Sequence, residues 1–141
     1  MGVRGLSQPS RMGPAFSGVT ESVALEAVAK GAGTETVVAA VKRVAEAASD
    51  FSWLSRGDLV FIKPTGNSGN RYPATTSPLA VQAMVSLLRE KGAGRVIVGD
   101  KSGVQYVYQD DRGQRGSSRQ LFIQNGLHQA ALDSGSEVYY F

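Results

Sequence analysis

Chemistry in this chain centres on a lysine, an aspartate and two polar loops. Lys63-Pro64 closes a short apolar run, and Gly99-Asp100-Lys101-Ser102-Gly103 closes another. From Pro64 through Ser77 run 14 residues with two glycines, two prolines and many hydroxyls and amides, including Asn67, Asn70, Thr75 and Thr76. Loops this long in a compact domain are usually functional or disordered. The cation at Lys63, with Arg71, Thr75, Thr76 and Ser77, could hold a phosphate or carboxylate at a helix N-terminus, where free amides and the helix dipole favour an anion. Asn67, Asn70, Asp100, Lys101 and Ser102 complete the candidate set of ligand contacts. The competing reading is structural: Lys63 salt-bridges Asp100, and Ser77 only caps a helix.

These residues need a scaffold, and the pattern around them supplies one. Leu59–Ile62 are four apolar residues in a row, which predicts a strand buried on both faces. Ser77 suits an N-cap and Pro78 the first helical position, so a helix is expected over 78–91, ending at Gly92 with Arg89 and Lys91 in its last turn. Arg95–Val98 form a second strand that ends in Gly99-Asp100. The strand–helix–strand order predicts a right-handed crossover and parallel strands, which sets Lys63 and Asp100 on one edge of a sheet. Ligands bind at that edge in open parallel sheets.

Elsewhere the reading is coarser. Thr34 suits an N-cap, and Val37, Val38, Val41, Val44, Ala45 and Ala48 recur at helical spacing, predicting a helix over 34–49 with Phe51, Trp53 and Leu54 packed at its end. Residues 22–29 combine alanine content that favours helix with an alternation that favours strand. Ser117 or Ser118 can cap a helix running to Asn125-Gly126, a short helix follows over Leu127–Leu132, and Glu137–Phe141 read as a strand. A chain ending in a strand fits either a truncated module or an edge strand that completes the domain. Residues 1–20, rich in Gly, Ser, Pro and Arg without periodicity, are expected to be a flexible arm, and 21–141 to be one α/β domain.

The expected architecture is therefore a three-layer, mostly parallel sheet with helices on both faces, Rossmann-like, either as a whole or as a partial domain. The named phosphate motifs do not fit. Gly31-Ala-Gly33 has Thr36 in place of the third Rossmann glycine, and no phosphate-loop lysine motif occurs. Asp110-Asp111 with Asp100 could hold magnesium, but a solvated turn is the preferred reading, and no metal ligand is assigned. His128, the single histidine, reads as a surface or capping residue rather than a general base. Tyr106 and Tyr108 alternate as in a hairpin.

Composition narrows the classes of function. The net charge of +3 comes from scattered cations, with the closest group at Arg112, Arg115 and Arg119, which argues against a nucleic-acid footprint and leaves nucleic-acid binding through that basic loop as the weakest alternative. The absence of cysteine excludes disulfides and Cys-ligated zinc or iron–sulfur clusters within this chain, so no cofactor is expected in it. No apolar run approaches the ~20 residues of a membrane span, and a cytoplasmic setting without membrane contact is expected.

The run Gly57-Asp-Leu-Val-Phe-Ile-Lys-Pro64, then Thr76-Ser-Pro78, Gly92-Ala93 and Val96-Ile-Val-Gly-Asp100, resembles the domain-of-unknown-function family 362. The likeness continues through Gly126-Leu127, Gly135 and the closing strand Glu137 to Tyr140, over about residues 20–141. The resemblance implies an α/β fold and an association with ferredoxin-like iron–sulfur domains, to which family members are often joined. It also implies a longer parent protein. Thr65 stands where the family usually has Asn after Lys-Pro. The family brings no settled chemistry. Its organisation looks distantly like the amino-terminal half of nickel-pincer lactate racemases, without a residue-level match. The expectation is thus a small anionic or polar ligand at the strand edge, in a larger redox-associated enzyme. An accessory module docking to an iron–sulfur protein is the alternative.

Overall fold

A computed structural model describes residues 23–141. The expected arm, residues 1–20, lies outside the described residues. The elements are α1 (Thr34–Ala48), β1 (Leu59–Ile62), α2 (Pro78–Glu90), β2 (Arg95–Asp100), β3 (Tyr108–Asp110), β4 (Gly113–Arg115), α3 (Ser118–Asn125), α4 (Leu127–Asp133) and β5 (Glu137–Tyr140). β1, β2 and β5 form a parallel sheet in the order β1-β2-β5, and β3 and β4 form a separate antiparallel hairpin. This is an α/β fold with a small open sheet.

α2 is the hub. Ser77 and Pro78 start it as expected, although the Ser77 hydroxyl makes no capping bond. Its end is closed by Gly92 N–H donating to Arg89 C=O at 3.0 Å and Ala93 N–H to Leu88 C=O at 2.9 Å. Val81, Val85 and Leu88 fall on one stripe, and Ala83 and Leu87 are buried as well. That wide apolar circumference suits a helix covered on two sides. One cover is the sheet, whose inward residues Val60, Ile62, Val96, Val98, Val138 and Tyr140 join the core with Phe122 of α3 and Leu127 and Ala131 of α4. The other is α1, tied to α2 by ion pairs from Lys42 to Glu90 at 2.6 Å and from Lys91 to Glu46 at 2.7 Å. The helices therefore pack on one face of the sheet, and a second helical layer on the opposite face is not among the described residues.

Several local expectations change. β1 is not buried on both faces: it is an edge strand, with Leu59 and Phe61 exposed and Val60 and Ile62 half-buried. The N-cap of α1 is Gly33, and Thr34 is already helical, with no side-chain capping bond. Residues 23–29 are neither helix nor strand. A segment of seven residues is too short for an isolated helix, and no strand among the described residues pairs with it. The segment is instead held by Glu26, which ion-pairs with Arg43 on α1. Phe51 joins the core and Leu54 packs against it, whereas Trp53 stays outside, its indole N–H donating to Ser49 Oγ at 3.3 Å. Ser117 is the cap of α3, accepting from Gln120 N–H at 3.3 Å. No helix among the described residues is long and apolar enough to cross a membrane.

Candidate functional site

The register pairs Ile62 with Val98, so Lys63 leaves β1 beside the end of β2, where Asp100 stands. Lys63 Nζ lies 3.0 Å from Asp100 Oδ1, with the lysine side chain 69% exposed and the aspartate only 5%. Both carboxylate oxygens are engaged. Oδ1 also accepts from Lys101 N–H at 2.9 Å, and Oδ2 accepts from Gly66 N–H at 3.0 Å. Both candidates thus meet at the predicted edge, and the structural ion pair foreseen as the competing reading is formed.

The loop from Pro64 to Ser77 is tied down along its length. Its neck closes where Thr65 N–H donates to Thr76 Oγ1 at 2.8 Å and Thr76 N–H to Thr65 C=O at 3.0 Å. Ser102 Oγ donates to Gly66 C=O at 3.0 Å, and Gly103 N–H donates to Asn67 C=O at 2.9 Å. Asn125 Nδ2 donates to Ser68 C=O at 2.8 Å, while its Oδ1 accepts from Leu127 N–H at 3.0 Å. The Thr75 hydroxyl is turned inward to Asn70 C=O at 2.8 Å. No buried side-chain nitrogen or oxygen among the described residues lacks a partner, as buried polar groups require.

The loop glycines serve packing. A Cβ on Gly66 would lie 2.1 Å from the Phe122 ring of α3. The backbone must run flat over that ring, and a side chain there has no room.

The ten sequence candidates therefore separate. Lys63, Asp100, Lys101 and Ser102 gather at the ends of β1 and β2, and Thr75 and Thr76 support the loop from within. Asn67, Asn70 and Arg71 are exposed on the loop, and Ser77 sits half-buried at the start of α2. Sequence reasoning missed Ser68, Ser118 and Asn125, which are buried and hydrogen-bonded around the same centre. Asn125 read only as the end of a helix before Gly126, and nothing in its spacing pointed to a residue 57 positions earlier.

Outside this centre, Asp110 is ion-paired with Arg115 at 2.8 Å and accepts from Arg112 N–H at 2.8 Å. Among the described residues no group of three or more His, Asp or Glu could hold a metal ion. His128 is half-buried rather than a surface group, and its Nδ1 hydrogen-bonds the Tyr140 hydroxyl. Burial pushes the Tyr140 phenol up from its ordinary range, and the Arg119 cation pulls it partly back.

A family model described as Domain of unknown function (DUF362) matches residues 60–141. The chain belongs to this family. No curated protein and no solved structure matches it. The DUF362 match begins in β1 and takes in Lys63, the stitched loop, α2, Asp100 and everything through β5, whereas α1 precedes it.

Proposed function

We propose that this chain binds a small anionic ligand at the carboxyl edge of β1 and β2, with Lys63 and Lys101 as its cationic contacts and Asn67, Asn70 and Arg71 on the adjacent loop. The observation that carries the reading is the Lys63–Asp100 pair: a buried, hydrogen-bonded carboxylate holds an exposed ammonium at the sheet edge. Ligands collect at that edge in parallel α/β sheets. Asp100 is thereby a positioning residue, and Ser102 and Thr75 fix the loop rather than touch the ligand. A role within a larger redox-associated enzyme belongs to the same proposal.

The test is calorimetric titration with phosphate, pyrophosphate and small dicarboxylates. Loss of one charge-assisted contact, ~1.5–3 kcal/mol, weakens binding roughly ten- to a hundredfold in Lys63→Ala and Lys101→Ala. If no anion binds the wild type, or both variants bind as it does, the assignment is wrong.

A second reading is an accessory module that docks to another polypeptide, an iron–sulfur protein being the class expected from the family resemblance. The exposed apolar face of the sheet favours it. The three-layer, Rossmann-like arrangement belongs to this reading, with its third layer on that face.

A further inference from the structure

Along β1, β2 and β5 the side chains alternate, and the register sorts them into two faces. One face is the core. The other carries Leu59, Phe61, Ile97 and Tyr139, continued by Phe141. Leu59, Phe61, Tyr139 and Phe141 are 53%, 41%, 53% and 63% exposed. They are not scattered. The Phe61 and Phe141 rings meet edge-on at 6.0 Å, and the Tyr139 and Phe141 rings at 4.9 Å. Gly99 lies between them, and a Cβ there would come within 2.9 Å of the Phe61 ring, so glycine keeps the centre of this face low. A contiguous aromatic face of this kind marks an interaction surface, and parallel sheets are found with both faces covered by helices.

Charge selects the occupant. At the amino end of the face Arg95 and Glu137 neutralise each other through two hydrogen bonds of 2.9 Å. At the carboxyl end Lys101 is exposed and lines a notch of about 200 Å³ with Phe141, Tyr108, Gln109 and Gln114. Glu137, the acid on this face, is already paired. Among the described strand residues of this face, a second copy laid face to face would offer each Lys101 no uncommitted carboxylate. Three strands ~4.8 Å apart also make a platform about as wide as one helix, ~10 Å.

We propose that this face docks an acidic amphipathic α-helix of a partner polypeptide, its apolar stripe on Leu59, Phe61, Ile97, Tyr139 and Phe141 and a carboxylate in the Lys101 notch. This rests on the docking reading; it shares Lys101 with the proposed anion site, and Tyr139→Asp, which lies outside that site, tells the two apart.

The experiment uses the full chain and two fluorescent helical peptides of about four turns, ~14 residues, with the same Leu/Ala stripe and either Glu or Lys on the flanks. Fluorescence anisotropy is expected to show saturable binding of the acidic peptide, at least about tenfold tighter than the basic one. Tyr139→Asp abolishes it while leaving the circular dichroism unchanged, and Lys101→Glu reverses the preference. Equal or stronger binding of the basic peptide that Tyr139→Asp abolishes keeps the docking reading and overturns the acidic partner. Absence of binding by either peptide overturns both. A dimer in light scattering that Tyr139→Asp dissociates assigns the face to a second copy and also overturns the proposal.

Discussion

Removing the Asp100 carboxylate separates structure from function at the sheet edge. In Asp100→Ala the buried Gly66 N–H loses its acceptor, as does Lys101 N–H, while the Lys63 ammonium, 69% exposed, returns to water. An orphaned buried donor costs about 1–3 kcal/mol, and a hydrogen bond to a charged acceptor contributes about 1.5–3 kcal/mol. The two overlap at Gly66, and desolvation of the carboxylate offsets part of the loss, so the net expectation is about 2–3 kcal/mol. Lys63→Ala leaves both amide bonds to the carboxylate in place, and an ion pair with one exposed partner contributes only about 1 kcal/mol or less. Urea unfolding followed by far-ultraviolet circular dichroism measures both. Asp100→Ala is expected to lower the midpoint by about 1–2 M with an unchanged slope, and Lys63→Ala by well under half of that. A Lys63→Ala loss equal to that of Asp100→Ala would refute the reasoning. So would an Asp100→Ala loss below about 0.5 kcal/mol, within the range of ordinary surface substitutions, because Asp100 would then not be what anchors the loop.

Gly66→Ala places a methyl 2.1 Å from the Phe122 ring, so ring and loop must shift; a loss of about 1–3 kcal/mol is expected in thermal melts, and a neutral result would mean the loop does not lie on α3. The carboxyls of Glu26, Glu90 and Glu137 are held below the ordinary glutamate value by hydrogen bonds from Arg43, Lys42 and Arg95 respectively. A folded-state value below the unfolded one gives stability that is present above the unfolded pKa near 4.5 and lost as pH falls through the folded value. Stability should therefore decline below about pH 4.5, less so in 1 M salt; an identical acid limb in the triple Gln variant at these positions would contradict the assignment.

The β1–α2–β2 unit was legible because each step had a local cause: an apolar run, Ser77-Pro78, a helical stripe and Gly92. Parallel pairing then brought Lys63 to Asp100 as expected. What the sequence left hidden depends on distant partners. The stripe of α1 shows that one side of the helix is apolar, not that it will lie on α2 instead of the sheet. The glycines of the loop fit a phosphate cradle or close packing equally well until Phe122 is placed beneath Gly66. Residues 23–29 could favour strand only if another strand lay alongside. Buried hydroxyls and amides such as Ser102 and Asn125 resemble surface polar residues until their carbonyl partners, 36 and 57 positions away, are known.

The bonds holding the loop between β1 and α2 also order events during folding. Gly66, Asn67 and Ser68 are fastened by Asp100 at the end of β2, by Ser102 and Gly103 after it, and by Asn125 at the end of α3. None of those fasteners exists while only β1 and α2 have formed. The neck bonds between Thr65 and Thr76 need only β1 and α2, whereas the middle of the loop gains its fasteners only with β2, the segment after it and α3. Non-local contacts of this kind, spanning 34 to 57 positions, slow folding.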